Sequence, residues 1–274
     1  MPEGPEIWRA AAQLAEVLDD QIVEVVEFTQ PRLHNYGGVL SGCRVRQVEA
    51  RGKAVVTRFD NDLYLYSHNQ LYGRWYIRKR DNLPKTARTL RAALHTATHS
   101  ALLYSASDIE VLDDAGLVHH GYLAKLGPEA LDQKVHWRDI AARLGDPEFA
   151  GRRLASLYLD QHFVAGIGNY LRSEILFDAR LHPERRPRDL SRGEIGRLAR
   201  STLAITRRSL RTGGVTNPDG RARKLKREGL SRADYRFAVF ARAGKDCYAC
   251  HAGIHRTTMG ARRIYLCPTC QPEA

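Results

Sequence analysis

The chain has 274 residues, 43% of them hydrophobic, which is enough to fill the core of one large domain or two ordinary ones. Forty-three Lys and Arg against 31 Asp and Glu leave a formal net charge of +12, which favours a polyanionic partner. No apolar run nears the roughly 18 residues of a spanning helix, and Glu3 and Glu6 stand where a secretory signal would be basic and then apolar; the expectation is a cytoplasmic protein without a membrane partner.

The chain opens MPEGPE. Loss of Met1, which the small Pro2 permits, leaves a secondary amine beside Glu3, and a secondary amine is a nucleophile. After Pro5, the spacing of Ile7, Ala11, Leu14 and Leu18 predicts a helix with one apolar face. From Ile22 to about Leu112 the pattern turns to strand, in QIVEVVEF, AVVTRF, DLYLYS, RWYIRK and SALLYS, divided by turns such as FDNDL. Strands this closely spaced predict a sandwich or barrel, against which the first helix holds Pro2. Cys43, alone in LSGCRVRQ, reads as a small buried side chain without a function. Lys53, in EARGKAVVTRF, stands just before a strand, and Gln70, Leu71 and Tyr72, in YSHNQLYGRW, occupy a turn after one. Residue type leaves these four open. A turn lysine is usually solvated, and Leu71 with Tyr72 suits a core, but an exposed amide, aliphatic and aromatic in succession also suits filling the gap left by an extruded nucleotide.

Between about Leu131 and Pro147 the strand pattern ends, and to about Gly213 the chain reads as helices joined by short turns. SRGE at Ser191 to Glu194 is a capping box, followed by Ile195, Leu198, Thr202 and Ile205 on one face. FVAGIGNYLRSEILF sets Gly166 and Gly168 before Asn169 and a helical pattern through Leu171, Ile175 and Leu176. Amides and an Asn side chain at a helix start can hold a phosphate, although a glycine turn between two packed helices reads the same. The basic stretch GRARKLKREGLSR that follows predicts a mobile loop.

Four of the five cysteines fall in the last 28 residues, as Cys247, Cys250, Cys267 and Cys270. Their C-x2-C, x16, C-x2-C spacing lets two thiolate-bearing turns converge on one tetrahedral zinc. Four protein ligands leave no position for water, so this zinc is structural and the chemistry lies elsewhere. The intervening residues predict a hairpin whose tip carries Arg256, Arg262 and Arg263, suited to a nucleic-acid groove. The expected fold class is α+β: a β-sandwich with flanking helices over 1–130, a helical domain over 131–235 and a zinc-ribbon hairpin over 236–274.

PEGPE, RGKA, SHNQLYG, GIGNYLRSEIL and the cysteine pattern together resemble, in order along almost the whole chain, the formamidopyrimidine-DNA glycosylase and endonuclease VIII family of base-excision repair enzymes. YSHNQLYG and LLYSASDIE resemble the endonuclease VIII branch; the other branch tends to carry Met where this chain has NQLY. The resemblance implies a helix-two-turns-helix motif in the helical domain and one structural zinc. It further implies a monomeric, nucleoid-associated enzyme acting on damaged DNA, a bifunctional glycosylase and apurinic/apyrimidinic (AP) lyase that removes oxidised pyrimidines and nicks the strand by β,δ-elimination.

Residue by residue, the resemblance implies Pro2 as the nucleophile that forms an iminium at C1′, and Glu3 as the acid that protonates the opening sugar. Proline suits this: a terminal amine titrates near about 7.7 to 8.0, and its iminium has no nitrogen proton to lose. Glu6 is the family's second carboxylate, though by position it also suits stabilising the helix's first turn. Lys53 is implied as a phosphate contact that assists near C1′, Arg262 as the hairpin arginine with Arg263 as its alternative, Asn169 as a phosphate ligand, and Gln70, Leu71 and Tyr72 as the wedge. Lys125, in YLAKLGPE, stands where the branch usually has arginine; it keeps the charge and loses the fork, which points to phosphate contact rather than base reading. The basic segment Arg221 to Arg232 departs from the family pattern. Two other readings stand beside this one: an oxidised-purine enzyme of the same family, and a catalytically silent zinc-ribbon DNA-binding protein.

Overall fold

The computed structural model describes residues 2–80 and 82–273, and the chain gathers into two compact units, Met1–Lys125 and Leu126–Ala274. The first unit begins with α1 (Gly4–Leu18), which buries Ile7, Ala11, Leu14 and Leu18, the face that the spacing predicts. Each of the larger side chains contributes about 1.5 to 3 kcal/mol by leaving water. The strands are β1 (Val25–Phe28), β2 (Val45–Arg51), β3 (Ala54–Phe59), β4 (Tyr64–His68), β5 (Arg74–Lys79), β6 (Leu90–His95), β7 (His99–Tyr104) and β8 (Asp108–Leu112), with α2 (His34–Leu40) after β1 and α3 (Asp114–His119) after β8. They form two antiparallel sheets, ordered β1-β6-β7-β5 and β2-β3-β4-β8.

A single core joins the sheets and α1, with Ile7, Leu14, Phe28, Val55, Phe59, Leu65, Leu94, Leu103 and Ile109 among its members. Alternation along β4 sends Leu65 into that core and turns Tyr64, Tyr66 and His68 to the other face. The segment after β8 covers that face: Tyr64 Oη donates to Asp114 at 2.7 Å, Tyr66 packs on His120, and His68 packs on Tyr122.

In the second unit α4 (Trp137–Gly145), α5 (Pro147–Ala150), α6 (Leu154–Leu157), α7 (Asn169–Asp178) and α8 (Arg192–Arg211) enclose a core that includes Ile140, Phe149, Leu157, Tyr158, Phe163, Leu171, Ile175, Leu198 and Ile205. The box at the start of α8 is formed: the Ser191 amide donates to Glu194 Oε2 at 2.8 Å, and the Glu194 amide donates to Ser191 Oγ at 3.3 Å. The basic stretch is not a loop. It forms α9 (Asp219–Arg227) and α10 (Arg232–Arg236). Gly229, at φ +81°, ends α9 in a Schellman motif, with Leu230 N donating to Leu225 O and Gly229 N to Lys226 O, both at 3.1 Å, while Leu225 is buried. A hairpin of β9 (His255–Met259) and β10 (Arg262–Leu266) completes the unit, and its Ile264 is buried in the helical core. Among the described residues no helix is long and apolar enough to cross a membrane.

Candidate catalytic and nucleic-acid-binding site

The N-terminus is held by the first turn of α1. Glu3 is its N-cap, extended at φ −113°, and only 3% exposed; Pro2 before it is half-buried. The Glu3 amide donates to Glu6 Oε2 at 3.1 Å, and the Glu3 carbonyl accepts from the amides of Glu6 and Ile7 at 3.0 and 3.1 Å. Glu6 Oε1 in turn meets Arg9 Nη2 at 3.3 Å. The Glu6 carboxylate therefore closes the helix end onto residue 3, which fixes where Pro2 leaves the helix.

Lys53 belongs to the two-residue turn between β2 and β3, where Arg51 pairs with Ala54. Gly52 has φ +61° and Lys53 does not have positive φ, which defines a type II′ turn and explains the glycine. Lys53 is 7% exposed, and its amide donates to Tyr122 Oη at 2.8 Å. The Tyr122 ring meets the His68 ring edge-on, with centroids 5.4 Å apart. His68 Nδ1 accepts the Gln70 amide at 3.0 Å. Burial pushes the His68 pKa down; Asp108 opposes this and Lys53 adds to it, so Nδ1 stays an acceptor near neutrality.

The loop after β4 is fixed by the same contacts. Gln70 has φ +47°, and its Oε1 accepts from Ser107 Oγ at 3.0 Å. The Gly73 amide donates to Asn69 O at 2.7 Å, and a Cβ at residue 73 would stand 2.6 Å from that oxygen, so the close approach requires glycine. The turn holds Leu71 and Tyr72 at 58% and 70% exposure, which overturns the core reading of both. Lys125 ends a short 3-10 turn, Leu123–Lys125, and is exposed.

In the second unit Asn169 is the first residue of α7, with Gly168 as N-cap. Beside it lies Arg172, fully buried, whose Nη2 donates to Asn169 Oδ1 at 2.7 Å and to Arg263 O at 3.1 Å and whose Nη1 donates to Ala155 O at 2.8 Å. Arg172 thereby commits Asn169 Oδ1 as an acceptor, and the hydrogens on Nδ2 are what Asn169 can offer an anion. Two residues on, the buried Glu174 accepts the amides of Ala238, Val239 and Phe240, each at 2.8 Å, and the Thr216 hydroxyl. Burial raises the Glu174 pKa and these donors oppose the rise.

Arg262 and Arg263 are exposed on β10 beside the turn, where Gly260 and Ala261 both have φ +59°, a type I′ hairpin. Arg256 does not share that tip: it pairs with Tyr265, three register pairs down the ribbon from Met259 and Arg262, or about 10 Å. The expectation failed because the turn residues are Gly260 and Ala261 rather than the centre of the intervening sequence.

The four cysteine sulfurs of Cys247, Cys250, Cys267 and Cys270 lie within 4.8 Å of one another, with Cys247 to Cys270 at 3.9 Å and Cys250 to Cys267 at 3.4 Å. A tetrahedron with metal–sulfur bonds of about 2.3 Å has edges near 3.8 Å, so the four thiols fit a closed tetrahedral site. Burial pushes the Cys267 and Cys270 thiols up, a cost to thiolate formation that a bound cation offsets.

Arg172, Glu174, His68 and Tyr122 went unrecognised in the sequence. For Arg172 and Glu174 a signal existed, since opposite charges sit on a helix whose neighbours Leu171, Ile175 and Leu176 are all core residues. His68 and Tyr122 carried no such mark.

Residues 1–107 match the formamidopyrimidine-DNA glycosylase N-terminal domain, and residues 126–219 match the formamidopyrimidine-DNA glycosylase H2TH domain. Over 271 residues the chain is 42% identical to endonuclease 8 of Salmonella arizonae and 43% identical to that of Shigella sonnei, covering 99% of this chain and 100% of each relative. Among solved structures, formamidopyrimidine-DNA glycosylase of Lactococcus lactis non-covalently bound to AP-site DNA superposes with a TM-score of 0.80 at 22% identity. The same enzyme with DNA containing an oxidised pyrimidine gives 0.81 at 21%, and both alignments cover 99% of this chain and 100% of the other. The chain belongs to the formamidopyrimidine-DNA glycosylase and endonuclease 8 family of base-excision DNA glycosylases.

Proposed function

We propose that this protein is a bifunctional glycosylase and AP lyase that excises oxidised pyrimidines from DNA through an iminium on Pro2. The supporting observation is the terminus itself: a proline one residue ahead of a buried glutamate whose backbone is fixed by a closed helix turn. Kinship with endonuclease 8 over the full chain supports the pyrimidine preference.

Once Met1 is removed, the Pro2 nitrogen attacks C1′ of the damaged nucleotide. The C1′–base bond breaks with its electron pair going to the base, which takes up the proton that the Pro2 nitrogen sheds; the Glu3 carboxyl protonates the ring oxygen, and the iminium forms as the ring opens. The iminium draws electrons from C2′, so loss of a C2′ proton expels the 3′ phosphate; a second proton loss along the conjugated chain expels the 5′ phosphate. Water then hydrolyses the iminium and returns the amine. Lys53 neutralises phosphate charge near C1′, Asn169 and Lys125 contact the backbone, and Arg262, with Arg263 beside it, stabilises the departing phosphate. Gln70, Leu71 and Tyr72 fill the stack that the extruded nucleotide leaves. Glu6 acts on this centre by holding residue 3. Zinc on Cys247, Cys250, Cys267 and Cys270, when bound, supplies no reaction step; it cross-links the base of the arginine hairpin.

The test is incubation of the processed protein with duplexes carrying thymine glycol, 8-oxoguanine or a preformed abasic site, in the presence of borohydride. A reduced covalent adduct with faster cleavage at thymine glycol is expected. Binding without any adduct would favour a silent DNA-binding protein, and faster cleavage at 8-oxoguanine would move the preference to purines.

A further inference from the structure

The basic helix α9 has no part in the chemistry above. In nine residues it carries Arg221, Arg223, Lys224, Lys226 and Arg227, and Leu225 is its only buried residue. Arg223, Lys226 and Arg227 are exposed and stand at i, i+3 and i+4, so they share one face. With Gly220 one turn earlier they line an open groove of about 660 Å³. No Cβ at Gly220 would meet an atom within 4 Å, so that end of the groove is clear. The other face is engaged differently: Lys224 lies 3.9 Å from Glu228, and the Arg221 guanidinium stands 5.7 Å from the Tyr248 ring. None of Arg223, Lys226 and Arg227 pairs with a carboxylate among the described residues. Like charges crowded at this spacing oppose the helix, and an anion held between them removes the opposition.

The segment is also anchored. The Thr216 amide donates to Arg236 O at 2.9 Å, closing the excursion at its base. Thr216 Oγ1 and the amides of Ala238, Val239 and Phe240 all end on the Glu174 carboxylate of α7, the helix that begins with Asn169. Arg232 Nη2 adds a bond to Gly213 O at 2.6 Å.

We propose that the Arg223, Lys226 and Arg227 face of α9 is a phosphate-contact surface that grips the DNA backbone outside the reacting nucleotide. This rests on the DNA-processing reading. Along the helix axis the stripe spans about 6 Å, against a rise of about 3.4 Å per nucleotide of one strand, so it meets about two phosphates. Arginine forks suit that contact, and nothing in the stripe reads a base.

The test compares three proteins: the unaltered chain, the triple variant Arg223→Gln, Lys226→Gln and Arg227→Gln, and a charge-matched control, Lys134→Gln, Arg188→Gln and Arg192→Gln, whose positions are exposed elsewhere in the same unit. Affinity for an undamaged duplex is measured against salt. The slope of log Kobs on log salt should lose about 1.8 in the α9 variant, and far less in the control. An unchanged slope, or an equal loss in both variants, overturns the proposal, since α9 then contributes only net charge. Single-turnover cleavage by the charge-matched control should equal that of the unaltered chain. Absence of cleavage by the unaltered chain would strike the glycosylase reading instead, leaving the slope comparison to decide α9 on its own.

Discussion

At the scale of single residues, the site depends on side chains that touch no substrate in the proposed mechanism. Lys53 is a flexible chain on a tight turn, and a turn alone does not hold an ammonium to within the tolerance that catalysis needs. The bond from the Lys53 amide to Tyr122 Oη supplies the missing constraint. Tyr122→Phe removes that acceptor and little else. We expect kcat for cleavage of abasic DNA to fall about tenfold to a hundredfold with KM nearly constant, since positioning rather than binding is lost. Steady-state kinetics on a single abasic duplex measures both; an unchanged kcat would make Tyr122 an ordinary packing residue. Arg172 plays the corresponding part in the second unit, where it orients the Asn169 amide and carries the contact to β10.

At the scale of elements, the loop proposed as the wedge is tied to its strand through an imidazole. His68 titrates below its ordinary value of 6.5, so between the lowered value and 6.5 the unfolded chain takes up a proton that the folded chain refuses. Stability from this group is complete above that window and declines as pH falls through it. Protonation also turns Nδ1 into a donor and breaks the bond from Gln70. Urea unfolding between about pH 7.5 and 5.5 should therefore show a loss in the unaltered chain that His68→Asn lacks, while parallel profiles would assign the loss to other groups.

Much of this level was legible beforehand. The apolar face of α1, the box at Ser191 and Glu194, and the segments that became β1, β3, β4, β5 and β7 follow from local pattern. The sequences VRQVEAR, LRAALH and DIEVL were not recognised as β2, β6 and β8, because charged residues and alanines dilute their β-branched and aromatic content and give them little strand character apart from their partners. The basic stretch was misread on composition, although EGL after a lysine-rich run is a helix stop with Gly229 in the left-handed position. The types of the site residues could be read locally. What fixes them could not, because Arg172 reaches residue 263 and Glu174 reaches residues 238 to 240, separations that no window along the chain spans.

At the scale of the whole molecule, the residues of the proposed mechanism are divided between separately cored units. Pro2, Glu3, Lys53 and the wedge belong to the first, while Asn169, Arg262, α9 and the cysteines belong to the second. Because Ile264 of the hairpin is buried in the helical core, removing the metal should loosen the second unit and spare the sandwich. Chelation, or Cys247→Ser, should release zinc, weaken DNA binding and open residues 236–274 to protease while 2–80 resists; unchanged affinity after zinc loss would remove the hairpin from the DNA contact.

The central claim is a covalent bond from the Pro2 nitrogen to deoxyribose. Its most direct measurement is mass spectrometry of the borohydride-reduced protein–DNA adduct after proteolysis. The account predicts that the sugar fragment sits on a peptide beginning at Pro2 with Met1 absent. An adduct on Lys53, or full strand cleavage by protein that retains Met1, would contradict it.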